Sequence, residues 1–214
     1  MIWLDLETRS TVDVTERGVY ALIEDPDLQI ISMHWAFDDE EPQHWRGIFA
    51  GSVHAPNIMA APPKELFARI AKGEQIGIWN EAFDRLVWNA IAARKTITGM
   101  PFIDLDQTVD YAAVARAHNL PGKLETAAAV WLPSHMQKLG NAQFKPLWST
   151  KSPLLPEALG LYLPMREYGD HDIIAMRAMA GIMLAPDDRL LTDYRVAERS
   201  NRRGICVDLE WGRK

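Results

Sequence analysis

The sequence predicts an α/β fold in which a mixed β-sheet is flanked by helices. Strand-like segments cluster at the front of the chain, helical spacing takes over from Asp106 onward, and no internal repeat or low-complexity segment interrupts either part. The 214 residues are 48% hydrophobic and 24% charged, a balance that excludes intrinsic disorder and can fill one large core without covalent staples.

Met1 to Arg9 reads as a strand, because Ile2, Leu4 and Leu6 alternate with Trp3, Asp5 and Glu7. Leu28 to Phe37 (LQIISMHWAF) is β-rich and mostly apolar, as expected of a central strand. The acidic turn Asp38 to Glu41 then leads into Gln43 to Phe49, the expected antiparallel partner. Pro62 and Pro63 open a helix over KELFARIAKG, since proline is tolerated in a first turn, and Gly73 closes it. Gln75 to Trp79 returns as a strand. Ala82 to Arg94 has helical spacing, with Phe83, Leu86, Val87, Ala90 and Ile91 on one stripe. After Pro101 the short apolar run FIDL is expected to form another strand. Helices are then expected over QTVDYAAVARAH and LETAAAVWL, followed by a loop from Pro133 to Pro156. Two more helices, Tyr168 to Leu184 and Asp188 to Asn201, complete the chain, the second capped by Asp187 or Asp188.

Cys206 is the single cysteine, so an internal disulfide and a zinc cluster are excluded and a reducing cytoplasm is expected. The opening MIWLDLETRS lacks the basic flank and apolar run of a signal peptide, and no window approaches the ~20 apolar residues of a membrane span. The formal net charge of −6 does not exclude a nucleic-acid partner, because carboxylates that bind divalent metal count as negative in the sequence yet form a cation site when loaded. Arg195, Arg199, Arg202 and Arg203, set against Glu198, read either as a solvated helix face or as a phosphate-binding cluster.

The chemistry lies in the carboxylates. Asp5 and Glu7 are two apart on a strand, so their side chains share a face, and two adjacent carboxylates repel unless a cation sits between them. The same D-x-E spacing recurs at Asp38/Glu40, Asp39/Glu41 and Asp208/Glu210, and an isolated pair reads as a solvated strand edge. Two further pairs change that reading. Asn80 and Asp84 (NEAFD) are four apart where a strand gives way to a helix. Tyr168 and Asp172 (YGDHD) are four apart on a helix and so share a face. Asp170 and His171 point away from that face and are expected at the surface; Asp104, Asp106 and Asp110 read as strand-end and helix-start acids, Asp104 alternatively as an acid that approaches the cleft.

Taken in order, DLE, NEAFD and YGDHD resemble the three motifs of the DEDD 3′–5′ exonucleases, and Tyr168 assigns the resemblance to the DEDDy branch. The histidine form of the third motif does not fit, because Glu167 stands five residues before Asp172. The similarity reaches further. Gly18 to Phe37, Leu120 to Leu132, the Lys138/Gly140 loop and Asn201 to Glu210 resemble segments of the proofreading domains of phage family A DNA polymerases. One departure is Trp79, where members often carry histidine before the motif asparagine; a change in packing rather than chemistry is expected from it.

The resemblance implies a ribonuclease H-like fold, an exonuclease domain over residues 1–200 and a segment over 201–214 that leads into a polymerase. The chain ends at Lys214, where a polymerase would continue, so an excised domain and a stand-alone product are both open. It further implies hydrolysis of 3′-terminal phosphodiesters of DNA, single-stranded or frayed, with two Mg²⁺ ions ~3.5–4 Å apart and Mn²⁺ as a substitute. Asp5, Glu7 and Asp172 would hold one metal. Asp5 would bridge to the second, supported by Asp84. Tyr168, whose ordinary pKa is ~10, would orient the attacking water rather than deprotonate it. Thr8, Asn80 and Phe83 are the candidate contacts to the terminal nucleotide, with core packing the competing and favoured role for Phe83. The expected partner is a DNA 3′ end, with a family A polymerase domain in the same or a separate chain, and the protein is expected to be a monomer. The competing readings are a DEDD nuclease that trims RNA, distinguished at the 2′-OH, and a catalytically silent nucleic-acid-binding or scaffold domain.

Overall fold

Alternation along the first strand sorts the molecule into two layers. The structure, a computed structural model, describes residues 1–47, 61–148 and 161–204. In chain order its elements are β1 (Ile2–Arg9), α1 (Val14–Glu24), β2 (Gln29–Phe37), β3 (Gln43–Arg46), α2 (Lys64–Ala71) and β4 (Ile76–Ile78). They continue with α3 (Glu81–Arg94), β5 (Thr108–Asp110), α4 (Tyr111–Ala117), α5 (Leu124–Trp131), α6 (Tyr162–Ile182) and α7 (Asp188–Arg203). Short 3-10 turns occur at Leu105–Gln107, Ser134–Met136 and Ala142–Leu147.

The five strands form one mixed sheet in the order β3-β2-β1-β4-β5. β2 runs antiparallel to β1 and β3, while β4 is parallel to both β1 and β5. The α/β architecture is therefore as expected, and it is consistent with a ribonuclease H-like fold. Ile2, Leu4 and Leu6 join the core formed with Leu66, Phe67 and Ile70 of α2 and Val87, Trp88 and Ile91 of α3. Trp3, on the opposite face, joins the core built with α4, α5 and the Ile173, Met176 and Met179 stripe of α6. Asp5 and Glu7 share the face of Trp3, and so they meet α6.

Three expectations need correction. β1 is the central strand; β2 lies between it and β3. FIDL does not form a strand: Phe102 is exposed, and Asp104 instead starts a 3-10 turn, with its carboxylate accepting from the Asp106 N–H at 2.8 Å and Gln107 Oε1 accepting from its own N–H at 3.1 Å. The fifth strand is Thr108–Asp110, within the stretch expected to be helix; its β-branched Thr108 and Val109 are buried, and Asp110 then caps α4 through the Ala112 N–H. The strand Gln43–Arg46 pairs with β2 as expected, while Phe49, its expected end, lies outside the described residues.

α1 was not anticipated from the sequence, because Gly18, at φ 75°, kinks it and breaks the helical pattern. α6 begins at Tyr162 rather than Tyr168, with Pro164 tolerated in its first turn. Asp187 caps α7 as expected, accepting from the Leu190 N–H at 2.7 Å. The segment past Gly204, including Cys206 and the Asp208/Glu210 pair, lies outside the described residues. No described helix is long and apolar enough to cross a membrane.

Candidate metal centre

Three separate elements deliver the carboxylates. Asp5 and Glu7 come from the middle of the central strand, so they face α6 rather than forming a solvated edge. Asp172 comes from α6, one turn after Tyr168, and both are buried. Asp84 sits in the first turn of α3. That helix starts directly after β4, which is parallel to β1, so the two strands end at the same edge of the sheet. Carboxylate oxygens of Asp5, Glu7 and Asp172 all lie within 4.8 Å of one another. Asp84 stands close enough for the charges of Asp5 and Glu7 to act on it, and its carboxylate accepts the Leu6 backbone N–H.

The electrostatics of the centre are unbalanced. Burial, reinforced by Asp5 and Asp172, pushes the Glu7 carboxyl well above its ordinary range, although the Trp148 hydrogen bond and Lys138 oppose this. Burial, then Asp5 and Glu7, do the same to Asp84. Asp172 is raised to about 7 by burial and Asp5, against the pull of Lys138. Asp5 Oδ2 and Asp172 Oδ1 are buried without a hydrogen-bond partner among the described residues. Buried polar atoms are rarely left so, and the usual explanation is a ligand or ion that satisfies them. Hard oxygen donors this close suit a divalent cation with metal–oxygen distances of ~2.0–2.6 Å. The residues present fit such an ion.

No protein-family model matches the chain, and none of the curated proteins does. The reading of the site rests on its geometry and on the order of its motifs.

The other expected site residues divide. Thr8, beyond an irregularity in the β1–β2 register at Glu7/Thr8, and Phe83 both line a cavity of about 690 Å³ next to Glu7. Phe83 also packs against the main core, the role set against a base contact. Asn80 adopts a left-handed conformation (φ 67°) at the start of α3 and its side chain is exposed; its backbone N–H donates to Asp110 Oδ1 at 2.9 Å. It shapes the strand-to-helix turn that presents Asp84. Trp79 packs in the second core and donates from Nε1 to the Gly122 carbonyl at 2.8 Å.

Asp170 is not a free surface acid: its Oδ1 lies 2.9 Å from Nδ1 of the buried His34, whose Nε2 lies 3.0 Å from Ser32 Oγ. His34 and Ser32 are the register partners of Asp5 and Glu7, so they lie beside the centre on the same face of the sheet. Of the arginine cluster, Arg195 and Arg199 pair with Asp106, which favours a structural role over a phosphate site for those two; Arg202 and Arg203 are exposed. Asp104 and Asp110 serve as caps.

Two residues were not given roles from sequence. Lys138 donates from Nζ to Asp172 Oδ2 at 2.5 Å and lies 4.8 Å from the Tyr168 ring centroid. Burial alone would lower its pKa, but Asp172, Asp5 and Tyr168 raise it, so it stays charged and offsets part of the carboxylate excess. Trp148 donates from Nε1 to Glu7 Oε2 at 3.0 Å. Both belong to the connection between α5 and α6, where no periodicity marks a side chain as inward-facing. Tyr168 itself packs on Phe144, and burial with Asp172 pushes its pKa up, which leaves still less of it ionised to act as a base.

Proposed function

We propose that this protein is a metal-dependent 3′–5′ exonuclease that hydrolyses the terminal phosphodiester of single-stranded or frayed DNA, serving proofreading beside a family A polymerase domain in the same or a separate chain. The observation that carries the reading is the convergence of Asp5, Glu7 and Asp172 within 4.8 Å, with Asp84 acting on the same charges, from motifs in the chain order D-x-E, N-x3-D, Y-x3-D.

When bound, two divalent ions, Mg²⁺ or Mn²⁺, would supply Lewis-acid stabilisation to the attacking and leaving oxygens. Asp5, Glu7 and Asp172 would hold one, and Asp5 with Asp84 the other. Tyr168 stays protonated and uses its hydroxyl to orient the water that attacks phosphorus. The P–O3′ bond breaks, the shortened strand keeps a 3′-hydroxyl, and a nucleoside 5′-monophosphate leaves. The cavity beside Glu7, walled by Leu6, Thr8, Phe83 and Trp148, offers apolar surface for the terminal nucleotide, and Lys145 at its rim offers charge for a phosphate.

Digestion of a 5′-labelled single-stranded DNA oligomer with Mg²⁺, beside an EDTA control, tests this reading. The expected product is a ladder shortening from the 3′ end only when metal is present. Absence of cleavage with both Mg²⁺ and Mn²⁺ would sink it in favour of a silent nucleic-acid-binding domain. Faster loss of a matched RNA oligomer would transfer the activity to RNA.

A further inference from the structure

Trp148 ends the 3-10 turn Ala142–Leu147, and three contacts fix its position. Phe144 and Leu147 are buried in a small core with Ile31, Met165 and Tyr168. Its carbonyl accepts the Ser10 N–H at 3.0 Å, tying the turn to the end of β1. Its indole N–H donates to Glu7 Oε2 at 3.0 Å, and its side chain forms part of the wall of the 690 Å³ cavity. A partly buried indole needs some acceptor, and any carbonyl would satisfy it. Here the acceptor is a carboxylate of the cluster, and a hydrogen bond constrains the acceptor as much as the donor.

We propose that Trp148 is a positioning residue for the metal centre: its indole N–H holds the Glu7 carboxylate in the orientation that leaves Oε1 free as a ligand. This rests on the metal-dependent reading above. Glu7 has several rotatable bonds and stands beside two other carboxylates that repel it. Without a fixed donor it would turn away from them when no cation is present. A partner that orients a metal ligand is commonly worth ten- to hundredfold in metal affinity.

Calorimetric titration of Mn²⁺ into the wild type, Trp148→Phe and Trp148→Gln tests the proposal. Phe keeps the ring and loses the donor; Gln loses the ring and keeps an N–H that can reach Glu7. The expected order of affinity is wild type, then Gln, then Phe, with Phe weakened about tenfold. In a parallel titration of the wild type with diamagnetic Mg²⁺, the Trp148 indole N–H resonance, assigned by its loss in Trp148→Phe, shifts. A role in packing alone reverses the order of the two variants. Equal affinity of wild type and Trp148→Phe overturns the proposal while leaving the metal centre standing. No Mn²⁺ binding by the wild type overturns both. Melting of each protein in EDTA identifies a variant lost to misfolding, and the other variant and the resonance shift then decide.

Discussion

Asp84 shows what one residue costs at this centre. Its carboxylate is buried and acquires a pKa well above the ordinary 3.8, from burial first and then from Asp5 and Glu7. A carboxyl raised on folding leaves stability intact below its unfolded pKa and loses it as pH rises through the folded value. Asp84→Asn keeps an oxygen for the Leu6 N–H and removes the charge. In metal-free buffer above neutral pH it should therefore stabilise the protein by on the order of 1–3 kcal/mol, while abolishing cleavage. Thermal melts in EDTA measure this, and a loss of stability would contradict the charge argument. Period-two and period-four spacing put Asp5 with Glu7, and Tyr168 with Asp172, on common faces, but only the order of the three motifs joined these pairs to Asp84. Lys138 and Trp148 were not legible, since only tertiary contacts aim loop side chains.

Among the elements, α6 carries the third motif and approaches the sheet most tightly at Gly169. A Cβ at Gly169 would stand 2.4–2.5 Å from the ring atoms of His34, so only glycine lets the helix lie this close. Gly169→Ala should destabilise by about 1–3 kcal/mol and reduce cleavage, because Tyr168 and Asp172 move with the helix. Combining it with His34→Ala should give less than the sum of the two losses; strict additivity in a denaturation cycle would refute the clash. The sequence hid this, as glycine in a helix normally marks weakness rather than close packing.

α7 is held differently, through polar groups. The Tyr194 hydroxyl donates to the fully buried Glu81 at 2.7 Å, and Glu81 also accepts from Thr108 Oγ1 at 3.1 Å and pairs with Arg85. Tyr194→Phe should cost about 1–2 kcal/mol, whereas Arg199→Ala, which breaks an exposed pair with Asp106, should cost under about 1 kcal/mol and less in high salt. Urea titrations of both variants separate the two cases. The periodic helices α2, α3 and α7 were readable to within a few residues. β5 and α1 were missed because a three-residue strand and a glycine-kinked helix carry too little pattern to outweigh their neighbours.

Across the whole molecule, charge ties stability to pH in two opposed windows. Asp25 accepts hydrogen bonds from Ser10 and from the Thr11 N–H and hydroxyl, which overcome its burial and hold its pKa at about 2. Its contribution is present above the ordinary 3.8 and is lost as pH falls toward that folded value. Asp172 works the other way: raised to about 7, it weakens the metal-free fold as pH climbs from 3.8 through that value. A cation in the centre would cancel the second effect. The most direct test is the melting temperature of wild type and Asp5→Ala in EDTA and in saturating Mn²⁺, at acid and at mildly alkaline pH. At ~100 times the dissociation constant a bound ion adds ~2.7 kcal/mol, and a chain of this size gains about 2–4 °C per kcal/mol. The expected result is a rise of that order for the wild type at alkaline pH, fading at acid pH and absent in Asp5→Ala. A melting temperature indifferent to metal at every pH would contradict it.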